Sequence, residues 1–160
     1  METASKQLEL NVELKDLPAQ DYLGKRFTAS GPGVGQGVQK AFAELYACIG
    51  AAGSTPSGPP FLTVSEPVEG SMEIEVGAPC SPVPEPAAGL HRGRLEACRA
   101  AVTLYRGPYQ EMSSVYTRLF AWVAEHGHQP AGRPREIYLN GPAEVSKPEE
   151  YLTQLLVPIT

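Results

Sequence analysis

The chain has 160 residues, 42% hydrophobic and 19% charged, which suits one globular domain or two small modules sharing a core. A formal net charge of −5 without a basic run argues against a nucleic-acid surface and suits positively charged ligands. No apolar stretch approaches the length of a membrane span, METASKQLEL carries no signal-peptide core, and a cytoplasmic protein is expected.

Residues 1–7 are expected to form an N-terminal tail. Leu8, Leu10, Val12 and Leu14 alternate with polar residues and predict a half-buried strand. Asp21 to Ala29 predicts a second extended segment, and Ser30 to Gly37 (SGPGVGQG) a loop. That loop lacks the glycine spacing of a dinucleotide fingerprint and the Gly-Lys of a nucleotide phosphate loop, so it reads as a connector. Val38, Phe42, Leu45 and Ile49 are spaced for the buried face of a helix over 38–49, stopped by Gly50 and Gly53. Phe61 to Val64 and Ser71 to Pro79 predict strands, with Ser65 to Gly70 turning between them. Residues 80–93 (CSPVPEPAAGLHRG) have the Pro, Ala and Gly content of a linker.

Beyond the linker, Leu95 to Tyr105 is extended, Arg106-Gly107-Pro108-Tyr109 turns, and a helix runs from Ser113 or Ser114, either able to cap it, to Glu125. Val115, Leu119, Trp122 and Val123 mark its apolar face. A strand over Glu136 to Asn140 and a last strand over Thr153 to Ile159 close the chain.

The two halves align with each other. LYACIGAAGSTPSG from Leu45 lies over LFAWVAEHGHQPAG from Leu119, and one added residue brings Phe61-Leu62-Thr63-Val64 over Glu136-Ile137-Tyr138-Leu139. Two repeats, 8–79 and 94–159, follow: an α+β fold of tandem strand-helix-strand-strand modules with antiparallel sheet and a ligand cleft between them. In this alignment Ile137 serves the core, while Glu136 and Tyr138 replace Phe61 and Thr63, and Trp122 replaces Cys48. A carboxylate and aromatic rings have entered where folding asked for simpler groups. Glu136 is either an ordinary ion pair with Arg133 or Arg135, or a buried acid kept for a cationic or hydrogen-bonding ligand. Trp122 is either core or a wall of the cleft, and Tyr105, Tyr109, Tyr138 and Tyr151 are rings that can line it. Met112 and Phe27 are weaker candidates. Cys48, Cys80 and Cys98 lack metal or disulfide spacing, and His91, His126 and His128 have no ligand partners at metal spacing, so neither a metal nor a cofactor is expected.

Arg106-Gly107-Pro108-Tyr109, LFAW, REIYLNGP and EEYLTQLLVPI together resemble the GyrI-like small-molecule-binding domains, over about Leu8 to Ile159. These also form the effector-binding parts of multidrug-sensing AraC-type and MerR-type regulators. The resemblance implies a buried glutamate that meets cationic aromatic compounds, here Glu136, joined by Tyr151 and by Tyr109 from the Gly-Pro-Tyr turn. Some stand-alone members hydrolyse strained cyclopropane-bearing alkylators, which would give Glu136 and Tyr109 catalytic roles. Others inhibit DNA gyrase, a protein partner that nothing in this sequence locates. Many members have histidine before Gly-Pro-Tyr where this chain has Tyr105 and Arg106, and no helix-turn-helix precedes Leu8. The expectation is therefore a stand-alone binding protein for planar, apolar, often cationic molecules. Phe61, Tyr105, Tyr109, Trp122, Glu136, Tyr138 and Tyr151 are its candidate contacts, with the hydrolase as the alternative.

Overall fold

A computed structural model describes residues 11–29, 33–64, 72–141 and 144–160. The expected tail and the turn over Ser65 to Gly70 lie outside them, as do Leu8 and Leu10. The fold is α+β with antiparallel pairing throughout. Two compact units emerge, one of residues 18–97 and one of 98–160 joined by 1–17. Among the described residues no helix is long and apolar enough to cross a membrane.

In the 18–97 unit, β2 (Gln20–Ala29) is followed by α1 (Gly33–Ala51), the two-residue β3 (Thr55–Pro56), β4 (Phe61–Val64), β5 (Met72–Ser81) and β6 (His91–Leu95). The sheet order is β6-β2-β5-β4, with β3 beside the end of β5. Alternation along β5 buries Ile74, Val76, Ala78 and Cys80 on one face, and α1 contributes buried Ala41, Leu45 and Ile49. The helix starts earlier than expected, inside the glycine-rich segment. Within it Gly37 admits the Phe27 ring, to which a Cβ there would stand at 2.7 Å. The expected linker is also shorter: β5 continues to Ser81, and β6 begins at His91.

The opposite face of this sheet has glycines at Gly24, Gly77 and Gly93, where the Tyr22 and Phe61 rings lie against the backbone. Tyr22 meets Phe61 edge-on at 4.9 Å between centroids. Its hydroxyl donates to Glu75 Oε2 at 2.7 Å, and His91 Nε2 lies 2.6 Å from the same oxygen. This network ties β6 to β5 across β2.

In the other unit, β1 (Val12–Leu17) pairs with β7 (Cys98–Arg106), β7 with β9 (Leu152–Ile159), and β9 with β8 (Arg135–Tyr138). A 3-10 turn at Tyr109–Glu111 leads into α2 (Met112–Glu125). Neither serine caps α2: the N-cap is Glu111, and Ser114 Oγ instead donates back to the Glu111 carbonyl at 2.9 Å. The main core lies between α2 and one sheet face. It gathers Met112, Val115, Leu119 and Val123 from the helix with Ala101, Leu155, Val157 and Ile159 from the strands. A smaller cluster of Ala100, Val102 and Leu156 occupies the other face, with Leu17, Cys98 and Ile137 packed against it.

The repeat is visible in matching hydrogen bonds. Gly53 and Gly127 both take positive φ, 68° and 77°, after their helices, and Ser54 N–H to Ile49 O matches His128 N–H to Val123 O, both at 3.0 Å. Ser57 N–H donates to Pro79 O as Ala131 N–H does to Pro158 O. With Pro79 and Pro158 equivalent, Phe61 opposite Gly77 corresponds to Arg135 opposite Leu156. The added residue of the sequence alignment is therefore absent up to β8. Leu62, not Phe61, is the counterpart of Glu136, and Val64 that of Tyr138.

The first strands of the two repeats are traded. β1 leads through Pro18-Ala19 into β2, yet pairs with β7; β6 leads through Glu96-Ala97 into β7, yet pairs with β2. Leu17 opposite Cys98 matches Leu95 opposite Gln20. β1 to β5 and β6 to β9 thus match in order, and each compact unit takes its outer strand from the other repeat.

Candidate functional site

The register of β8 decides where its side chains go. Glu136 stands opposite Leu155 and Tyr138 opposite Thr153, and opposed residues of an antiparallel pair share a face. Leu155 belongs to the core beneath α2, so Glu136 and Tyr138 point to the helix side. Ile137 keeps its expected core role, but on the opposite face. There it serves the smaller cluster, and it is the carboxylate that reaches the margin of the main core.

Two hydroxyls meet it there. Tyr138 donates to Glu136 Oε1 at 2.7 Å, and Tyr116, one helical turn before Leu119 in α2, donates to Oε2 at 3.0 Å. No cationic side chain pairs with Glu136 among the described residues. Burial raises its pKa above the usual carboxylate range, against the opposing pull of the two hydroxyls. Burial raises the Tyr116 and Tyr138 phenols as well, helped by the adjacent carboxylate charge, so both remain protonated donors.

The aromatic rings continue outward from this pair. Tyr109 meets Tyr138 edge-on at 5.8 Å and stacks on Tyr151 at 4.8 Å with 21° between planes. Its phenol is raised by burial, then by Tyr151, Glu136 and Glu144. The turn that presents Tyr109 is locked at both ends. Gly107 adopts φ 146°, its N–H donates to the Tyr151 carbonyl at 2.9 Å, and a Cβ on it would lie 2.7 Å from the Tyr105 hydroxyl. Tyr105 donates that hydroxyl to Pro108 O at 2.8 Å, so it braces the turn. Asn140 fastens the approach to β9: its Oδ1 accepts from Leu152 N–H at 2.7 Å, and its Nδ2 donates to Glu150 O at 3.1 Å.

Four of the residues singled out in the sequence, Tyr109, Glu136, Tyr138 and Tyr151, thus form one assembly, with Tyr105 behind it. Trp122 stands further along α2, packed on the main core and stacked on His126 at 3.8 Å. Phe61 is buried in the 18–97 unit against Gly77 and Tyr22, and Phe27 in that unit closes on Gly37. Met112 is core. Tyr116 was not among the candidates. Its signal was its place beside Val115 at the edge of the helix's apolar stripe, where a ring reaches past the core to whatever borders it. Among the described residues no three metal-ligating side chains cluster.

The model of the GyrI-like small molecule binding domain matches residues 10–160. The chain belongs to the GyrI-like family. Among solved structures, EcmrR in its DNA complex has a TM-score of 0.79 at 22% identity, over 99% of this chain and 60% of EcmrR. The GyrI-like chain thus spans 60% of the length of that relative. The crystal structure of the EcmrR C-terminal domain gives 0.78 at 20% identity, over 94% of this chain and 98% of that domain. SAV2435 bound to tetraphenylphosphonium gives 0.62 at 16% identity, over 94% of each chain. A search of curated proteins finds no match. At these identities the likeness is one of fold, and what this GyrI-like domain binds must be argued from its own side chains.

Proposed function

We propose that this GyrI-like domain takes up planar, apolar, cationic small molecules at the Glu136 assembly. The observation that carries the reading is a half-buried carboxylate held by two tyrosine hydroxyls, with no cation paired to it among the described residues. Such a group is destabilising in its charged form until a positive charge is brought to it. Tyr109, Tyr138 and Tyr151 supply the faces and edges on which a flat cation packs, each well-placed ring contributing about 0.5–2 kcal/mol. The ligand named with SAV2435, tetraphenylphosphonium, is a lipophilic cation, tetrahedral rather than flat, and supports the cationic part of the reading.

A fluorescence titration tests the reading with a planar cationic dye and its neutral isostere. The dye is expected to bind wild-type protein at micromolar affinity or better. Glu136→Gln should weaken the cation roughly tenfold or more, consistent with loss of one charge-assisted interaction, and leave the neutral analogue nearly unchanged. Equal loss for both would remove the electrostatic role of Glu136.

A further inference from the structure

Beside the carboxylate, on the same sheet face, lies a hydroxyl that the fold leaves unused. Thr153 is 0% exposed, and its Oγ1 has no hydrogen-bond partner among the described residues. A hydroxyl removed from water without a partner is destabilising, and native structures keep few of them. The register places Thr153 between two tyrosines, opposite Tyr138 on β8 and Tyr105 on β7. Both of those hydroxyls are engaged elsewhere, Tyr138 giving its proton to Glu136 and Tyr105 to the Pro108 carbonyl. Thr153 is also the diagonal neighbour of Glu136, whose direct partner is Leu155. Valine would fill the same volume and favour the strand equally, so neither packing nor β-propensity accounts for the hydroxyl.

We propose that Thr153 Oγ1 is a second polar anchor of the ligand site, donating to an acceptor oxygen on the bound molecule. The inference rests on the cation-binding reading and narrows it. Diagonal cross-strand neighbours lie roughly 7–8 Å apart, so one ring system can present its positive charge to Glu136 and a carbonyl or amide oxygen to Thr153. The ligand class is therefore a flat cation with an acceptor group a few bonds from the charge, rather than a purely hydrocarbon cation.

The test uses two probes, an N-methylquinolinium with a ring carboxamide and the same cation with methyl in that place. Both are titrated into wild-type protein, T153V, T153S and E136Q, with a thermal melt on each variant. Thr153→Val is expected to weaken the carboxamide cation about tenfold, leave the methyl cation within about twofold, and melt no lower than wild type. Thr153→Ser, which keeps the hydroxyl, should retain the preference. If both cations bind and depend on Glu136, yet T153V weakens them equally or not at all, the Thr153 anchor is wrong and the cation site stands. If neither cation binds wild-type protein, or E136Q leaves both unchanged, the cation site fails and Thr153 with it. A T153V protein that melts well below wild type assigns the hydroxyl to folding and overturns the anchor. T153A then gives the same two-probe comparison, and an unchanged preference confirms that outcome.

Discussion

At the scale of single residues, the state of the Glu136 proton links the site to stability. Burial raises its pKa in the folded protein, so the folded state keeps a proton over a range where the unfolded chain has lost it. The contribution is fully present below the ordinary carboxylate pKa and is lost as pH rises through the raised value. Glutamine does not titrate, yet it keeps an oxygen to accept from Tyr116 or Tyr138. The melting temperature of Glu136→Gln, relative to wild type, should therefore be unchanged near about pH 4 and higher by about pH 8. A difference that stays flat across that range would mean the carboxylate is not destabilised by its surroundings. The carboxylate itself was legible as a polar residue in an alternating strand. Its second donor was not, because Tyr116 sits on a helix whose periodicity reports only the face turned to the core.

At the scale of elements, the two faces of the β8–β9 pair differ in what they hold up. Leu155 is fully buried beneath α2, whereas Ile137 is half-buried against the three-residue cluster on the other face. Leu155→Ala is expected to cost about 2–5 kcal/mol. Ile137→Ala should cost less than half of that, with both read from urea unfolding midpoints at constant slope. Comparable losses would mean the two faces share the core evenly. Period-two alternation in REIYLN separated the faces correctly, but it could not say which one the helix covers, since that depends on the partner strand. The same limit produced the one-residue error in the repeat. Matching apolar letters favoured Leu62 over Ile137, whereas the hydrogen bonds put Leu62 with Glu136. The corrected pairing makes the substitution plainer: the first repeat has a buried leucine where the second has the acid.

At the scale of the whole molecule, the α+β class, the two helices of the described residues and the repeat could all be read from periodicity, glycine stops and self-alignment. The trading of strands could not, because β1 and β6 have the same alternating pattern whichever sheet receives them. Its consequence is that neither repeat is complete without the other. A chain cut to residues 86–160 keeps β6, β7, α2, β8 and β9, but β7 lacks the strand supplied by Val12–Leu17 and β6 lacks β2. Two such fragments can each lend β6 to the other's β7, restoring the pairing that the full chain achieves within itself. Light scattering on the fragment should accordingly report a dimer that loses its structure on dilution, and a well-folded monomer would refute this. The connectivity is that of a domain-swapped pair joined end to end. The first repeat keeps a leucine where the second has a glutamate, so the two halves of that pair are no longer equivalent.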